Sequence, residues 1–402
     1  MKRFFTILAF VALISCQPSE PQAKYVFYFI GDGMGLAQVA LTEAYLAGSN
    51  GEIGSRALNF TTFPVLGMAT TYSASNIITC SSAAGTALAT GTKTNNGMLG
   101  VTPDTVCIEA ITYKIKEAGF KVGVSSTVTL DHATPGAFYA NATSRNDYYN
   151  IAVQLPGTGF DFFGGGGFIQ PEGRNKDQVS IITLIEDAGY TLVYGMEEFN
   201  RSRDAEKMVL LQDKGRNYLE ALPYAIDRKE GDMTHADVVT AAIDFLENEK
   251  GFFLMSESGR IDWACHSNDA KTSILETIDL DRAVQVAMDF AVKHPQETLI
   301  IVTADHETGG LSLGRESQYT MHFDQIAEQT ASKDVLLQRG DREKADLIGE
   351  MNQKARIGWT TSSHTGIPVP VYAMGVKSEL FSGRMDNTDI PKKICQAMGI
   401  AF

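Results

Sequence analysis

Lys24-Tyr25-Val26-Phe27-Tyr28-Phe29-Ile30-Gly31-Asp32-Gly33-Met34-Gly35 is a continuous apolar and aromatic run that stops in a glycine-rich loop. A run apolar at every position, rather than at alternate ones, belongs to a strand covered on both faces. A helix-like pattern follows it. The same alternation returns downstream as a helix over 110–119 and strand over 121–127, a helix over 236–248 and strand over 252–255, and a helix over 273–292 and strand over 298–302. This predicts an α/β fold with a central, largely parallel sheet and helices on both faces. Ligands of such sheets sit outside the carboxyl ends of the strands. Asp32, Thr134, Glu257 and the pair Asp305-His306 all lie just past such ends.

The 402 residues carry 34 basic and 48 acidic side chains, a formal charge of −14, with no basic stripe. Nucleic acid is thereby excluded as a structural partner. Anion binding is not excluded, because metal cations can dominate the local field of a site. Lys2 and Arg3 precede an apolar run from Phe4 to Leu13, which has the form of a secretory signal over residues 1–15 and is too short to span a membrane. Leu13-Ile14-Ser15-Cys16 resembles a bacterial lipobox, whose cysteine is lipidated and becomes the new N-terminus. An ordinary signal peptide with an incidental cysteine is the alternative. Residues 16–23 read as a tether. The expectation is an exported protein of a Gram-negative bacterium, periplasmic or held on the outer membrane by lipid on Cys16. Residues 24–402 read as one catalytic domain with inserts, lids or interface elements, at about 155–232 and 310–358. Cys80, Cys107, Cys265 and Cys395 show no disulfide framework in their spacing.

Two familiar phosphate motifs fail on inspection. Gly31 to Gly35 lies where a dinucleotide fingerprint would, but the third glycine of that pattern would be Leu36. Gly85 to Thr94 does not match a P-loop, because Gly91 falls six residues after Gly85. Other segments carry more chemistry. Ser81 opens a run of small residues, Ser82-Ala83-Ala84-Gly85-Thr86-Ala87. A serine at a helix start lies where free N–H groups and the dipole favour a phosphate, although a plain N-cap reads the same way. Asp262 and His266 are four apart and share one helix face, a zinc-type pair that also occurs on helix surfaces by chance. Asp305-His306 at a strand end and His364 before Gly366 add a second and a third element. His235, His294 and His322 lack such settings and read as surface or structural.

Taken together, five separated segments resemble those of the alkaline phosphatases, in that family's order. They are Gly31–Gly35, Ser81–Gly100, His132-Ala133-Thr134-Pro135 with Thr143-Ser144-Arg145, Glu257–His266, and Thr303–Gly310 with His364-Thr365-Gly366. The resemblance implies an alkaline phosphatase-like fold with crown-type inserts, and two Zn²⁺ and one Mg²⁺ per chain. Asp262, His266 and His364 would hold the first zinc, and Asp32, Asp305 and His306 the second. Asp32, Glu257 and Thr134 would hold a third ion, usually magnesium. Ser81 would be the nucleophile, giving a covalent phosphoserine, and Arg145 the phosphate clamp. The implied partners are small phosphate monoesters and inorganic phosphate, with a homodimer as the assembly. Cys80 and His132 each stand where the best-known pattern has Asp, and Trp263 where it has Lys. These departures bear on metal preference, phosphate affinity and pH optimum. The rival readings are a phosphodiesterase of the same superfamily, whose second ester group would compete with Arg145 for room, and a lipoprotein that binds metal or phosphate without turnover.

Overall fold

Tyr25–Gly31 is strand β1, buried at every position, and it lies inside a ten-stranded sheet. The computed structural model describes residues 21–212, 221–316 and 319–402. In chain order the next strands are β2 (Val65–Thr70), β3 (Lys121–Ser126), β4 (Phe162–Gly165), β5 (Thr191–Tyr194), β6 (Met208–Leu211), β7 (Phe252–Ser258) and β8 (Thr298–Thr303). Four two-residue strands follow, β9 (Glu307–Thr308), β10 (Ser312–Leu313), β11 (Ile357–Gly358) and β12 (His364–Thr365), and then β13 (Val369–Gly375) and β14 (Gly383–Asp386). The sheet runs β14-β2-β13-β8-β1-β7-β3-β4-β6-β5. Only β13 is antiparallel to its neighbours, β2 and β8.

Side chains alternate across the pleat, so β1 needs apolar partners on both faces. Phe27 meets Phe290 of the helix Ala270–Lys293, ring centroids 5.6 Å apart. Tyr28, pointing the other way, meets Phe138 at 6.0 Å, just past the helix Ala133–Ala137. Removing a buried phenylalanine from such a core costs about 3–5 kcal/mol. The long helix starts at Asp269, whose side chain accepts from the Thr272 N–H, and the helix His235–Leu246 starts with a Thr234/Asp237 capping box. His235 is buried, with Nε2 2.7 Å from Ser256 Oγ, and its role is structural.

The fold class is the one the alternation predicts. Among the described residues of 155–232, three short strands, β4, β5 and β6, extend the sheet beyond β3. These strands have four residues each, and the Gly164–Gly167 run interrupts the apolar signal, so no strand period was visible there. Residues 310–358 form an excursion between β9 and β12. Its Leu311, Ile326, Ala355 and Ile357 pack on Leu41, Ala270 and Ile274. Among the described residues Cys80, Cys107, Cys265 and Cys395 are free thiols, and no helix is long and apolar enough to cross a membrane. The signal segment and Cys16 lie outside the described residues.

Candidate active site

Asp32 follows β1 directly, and two glycines let the chain turn there. Gly33 has φ +72°, and a Cβ on it would come 2.9 Å from the Asp262 Cα. Its N–H donates to Asp305 Oδ1 at 3.1 Å, tying the β1 loop to the β8 loop. Asp305 also accepts from the His306 N–H at 2.9 Å, which fixes that loop from within.

Ser81 is the first residue of the helix Ser81–Thr90, every position of which is buried. The small side chains have a packing reason: a Cβ on Gly85 would stand 3.3 Å from both the Thr134 Cα and the Ala137 Cβ. Close approach of the two helices sets Ser81 and Thr134 into one site. Ser81 Oγ lies 3.3 Å from His306 Nε2 and 3.4 Å from an Arg145 guanidinium nitrogen. Its neighbour Cys80 accepts from the Gly97 N–H at 3.1 Å, and the Arg145 N–H in turn donates to the Gly97 carbonyl at 2.7 Å. Cys80 thus anchors the loop that carries Arg145.

Three groups of metal-type side chains converge, with potential ligand atoms within 4.8 Å of one another in each. They are Asp262, His306 and His364; Asp32, Asp305 and His306; and Asp32, His132 and Glu257. His306 belongs to the first two. Its ring stacks on that of His364, centroids 3.6 Å apart, and its Nε2 is 3.0 Å from Asp305 Oδ2. His266 stands at the edge of the first group, its Nε2 3.2 Å from Asp262 Oδ2 and 3.2 Å from His364 Nε2. Both outer histidines are oriented through the other nitrogen. Nδ1 of His266 faces the Ser362 carbonyl at 2.7 Å, and Nδ1 of His364 faces the Thr79 carbonyl at 2.9 Å. A donated Nδ1–H leaves each Nε2 lone pair for a cation.

Electrostatics favour a cation at the same place. Both oxygens of Asp32, Glu257 Oε1 and the Thr134 hydroxyl are buried without a hydrogen-bond partner. Burial and the Asp305 carboxylate push Asp32 well above the usual carboxylate range, and burial pushes Glu257 up to about 7. Unpaired carboxylates packed this densely are expensive, and a divalent ion removes that cost. The donor set is right for it: imidazole and carboxylate for the first two groups, and for the third the carboxylates of Asp32 and Glu257 with the His132 imidazole, the Thr134 hydroxyl being a further buried oxygen.

His132 is itself a member of the third group, and its Nε2 lies 3.4 Å from an Arg145 guanidinium nitrogen. Burial, and then Arg145, lowers its pKa to about 3, so the ring is neutral. Trp263 packs edge-on against it at 5.8 Å and carries the Arg260 guanidinium over its own ring at 4.8 Å. Every residue singled out from the sequence, from Asp32 to His364, is therefore in this one site. Two others were not singled out. Thr308 donates its hydroxyl to Asp262 Oδ1 at 2.5 Å, and Ser126 donates to Glu257 Oε2. Thr308 sits inside the quoted 303–310 segment, but a hydroxyl gives no chemical signal by itself; Ser126 gives none.

A deep cluster of acids and imidazoles at the carboxyl edge of a parallel sheet, with a serine at a buried helix start, defines a metal-dependent phosphoryl-transfer hydrolase. The sequence profile described as alkaline phosphatase matches residues 23–164 and 166–400, and the chain belongs to that family. It is similar to alkaline phosphatase 4 of Bacillus subtilis, 32% identical over 92% of this chain and 87% of that one. It resembles the structure of a cold-active alkaline phosphatase from a psychrophilic Shewanella, with TM-score 0.82, 30% identity and coverage of 93% of this chain and 99% of the other. A TAB5 alkaline phosphatase variant, in which a histidine is replaced by aspartate and Mg is bound in the M3 site, matches with TM-score 0.76 and 29% identity, covering 95% and 100% of the two chains. The enzyme is a phosphomonoester hydrolase.

Proposed function

We propose that the chain hydrolyses phosphate monoesters by a two-zinc, serine-nucleophile reaction through a covalent phosphoserine at Ser81. The observation that carries this reading is the placement of Ser81 Oγ, 3.3 Å from His306 and 3.4 Å from Arg145 at the N-terminus of a buried helix. Asp262, His266 and His364 would hold the first zinc, Asp32, Asp305 and His306 the second, and Asp32, Glu257 and Thr134 a magnesium. When bound, these cations supply the Lewis acidity that makes oxygen nucleophiles available near neutral pH and offsets the charge of the phosphate.

Arg145 takes two phosphate oxygens in its planar fork and turns the phosphorus toward Ser81. Ser81 Oγ loses its proton and forms a bond to phosphorus as the bond to the ester oxygen breaks in line; the departing alcohol takes up a proton. A water then attacks the phosphoserine, the P–Oγ bond breaks, and inorganic phosphate leaves with Ser81 restored. The helix N–H groups beside Ser81 oppose the growing negative charge. The magnesium assignment draws on the TAB5 neighbour with Mg in its M3 site.

The test is to quench the enzyme in acid with labelled inorganic phosphate and map the label. It is expected on the Ser81 peptide, and Ser81→Ala should lose both label and turnover while retaining zinc. Label on Ser82, or turnover surviving verified metal removal, overturns the reading. Two companion proposals concern location and assembly. Lipid on Cys16 is read by metabolic palmitate labelling, with Cys16→Ser released as active enzyme. A homodimer, for which the exposed Ile77 and Ile367 near the site give apolar surface, is read by sedimentation velocity.

A further inference from the structure

Glu307 is buried, 2% exposed, directly after two candidate ligands, yet it belongs to none of the three groups. Its carboxylate takes four hydrogen bonds, none of them from a residue of those groups. Oε1 accepts from Gln38 Nε2 at 2.9 Å and from the Leu311 N–H at 3.2 Å. Oε2 accepts from the Gly310 N–H at 3.2 Å and from the Thr365 hydroxyl. The donors come from two distant segments, the helix Leu36–Gly48 and β12, and from the turn just after β9. Gly35 makes room for it, since a Cβ there would land inside the Glu307 side chain.

The consequence for the site follows from register. In the β9–β12 pair Thr365 stands opposite Glu307 and His364 opposite Thr308. β12 has only two residues, so ladder bonds hold it weakly; besides the His364 Nδ1 contact with the Thr79 carbonyl, the Thr365–Glu307 hydrogen bond is what ties it to β9 through a side chain. Asp305 and His306 do not depend on it, being held by β8 and the Gly33 N–H. We propose that Glu307 is a positioning residue that locks β12, and with it His364, against Asp262, so that it governs occupancy of the first zinc group and not of the second. The inference rests on the two-zinc reading above.

Glu307→Gln replaces an acceptor oxygen by an amide N–H₂ that must face two of the four donors, while volume and shape stay the same. Thr365→Val removes the anchoring hydroxyl from the other side. The experiment is metal analysis of the folded proteins during titration with a competing zinc chelator, with turnover followed on adding zinc. Wild type is expected to release two tight zinc ions. Both variants should release one of them about 10- to 100-fold more readily and hold the other unchanged. Excess zinc should restore turnover, which a general loss of stability would not allow. Wild-type retention of both ions in a folded Glu307→Gln, or in Thr365→Val should the first variant not fold, overturns the inference and leaves the two-zinc reading standing. Equal weakening of both ions overturns it as well. A wild-type chain that is active without zinc overturns the two-zinc reading itself and this inference with it.

Discussion

The Thr308 hydroxyl donates to Asp262 Oδ1 across 2.5 Å, joining β9 to the helix Arg260–His266 over 46 residues of chain. The bond occupies one carboxylate oxygen and leaves Oδ2 to face His266 at 3.2 Å. There is little slack around it, because a Cβ on Gly33 would sit 2.9 Å from the same hydroxyl.

Thr308→Val keeps the shape and removes the donor. Outer partners of metal ligands contribute about 10- to 100-fold in affinity or activity. We expect a loss of kcat in that range, with weaker retention of zinc, and near-normal behaviour in Thr308→Ser. Zinc analysis beside steady-state kinetics decides it; a Val variant with wild-type kcat and zinc content shows that Asp262 needs no such support.

The parts of this site that the sequence announces are those at element ends. Asp32 after a wholly apolar strand and Asp305-His306 after another can be placed without coordinates, because parallel sheets deliver their carboxyl ends to one edge. Ser81 is legible as a helix start. What could not be read is lateral: that His306 lies between two groups of acids, stacked on His364, depends on how two loops 58 residues apart pack. The Ser126–Glu257 contact is of the same kind, since it needs the β3–β7 register. The strands β4, β5 and β6 are illegible for a different reason. Four-residue strands at the end of a sheet are too short to show a period, and glycines in Phe162–Gly165 dilute the apolar run that would have marked one.

Arg145→Ala should weaken inhibition by inorganic phosphate and raise KM while leaving zinc content intact, because the guanidinium contacts Ser81 and His132 but belongs to none of the metal-type groups. Charge-assisted hydrogen bonds contribute about 1.5–3 kcal/mol, equivalent to roughly ten- to a hundredfold or more in affinity. Arg145→Lys should recover only part of it, since an ammonium has no planar fork. Unchanged phosphate inhibition in Arg145→Ala removes this residue from substrate binding.

Glu276 gives a pH prediction away from the site. It is fully buried; burial, and then the Asp279 carboxylate, raises its pKa from 4.5 to about 7, against the opposing pull of Arg228. The native state therefore binds this proton more tightly than the unfolded chain does. Its contribution is complete below pH 4.5 and is lost as pH rises through about 7. At pH 9 that contribution is gone, and the native state is the less stable for it. Glu276→Gln keeps the acceptor that meets the Ala225 N–H and cannot ionise. Its melting midpoint should exceed that of wild type at pH 9 and match it at pH 4.5. A variant with no advantage at alkaline pH shows that Glu276 stays ionised at no cost beside Arg228.

His132 tests how the third group selects its ion. Its ring lies within reach of Asp32 and Glu257, and its Nδ1 is buried without a hydrogen-bond partner. A neutral imidazole offers no negative charge, and its nitrogen suits zinc better than magnesium, which prefers oxygen. The wild-type enzyme should accordingly respond to added magnesium, and excess zinc should inhibit it by taking the same place. His132→Asp supplies an acidic oxygen where the nitrogen stood, so magnesium should bind more tightly and zinc inhibition should weaken. The same carboxylate would face Arg145, now 3.4 Å from His132 Nε2, and should hold the guanidinium back from phosphate. A raised KM is therefore expected together with the tighter magnesium. Magnesium retained after gel filtration, measured beside activation curves for both proteins, separates the two effects. Identical magnesium retention and identical curves would mean that His132 only fills space between Trp263 and Arg145.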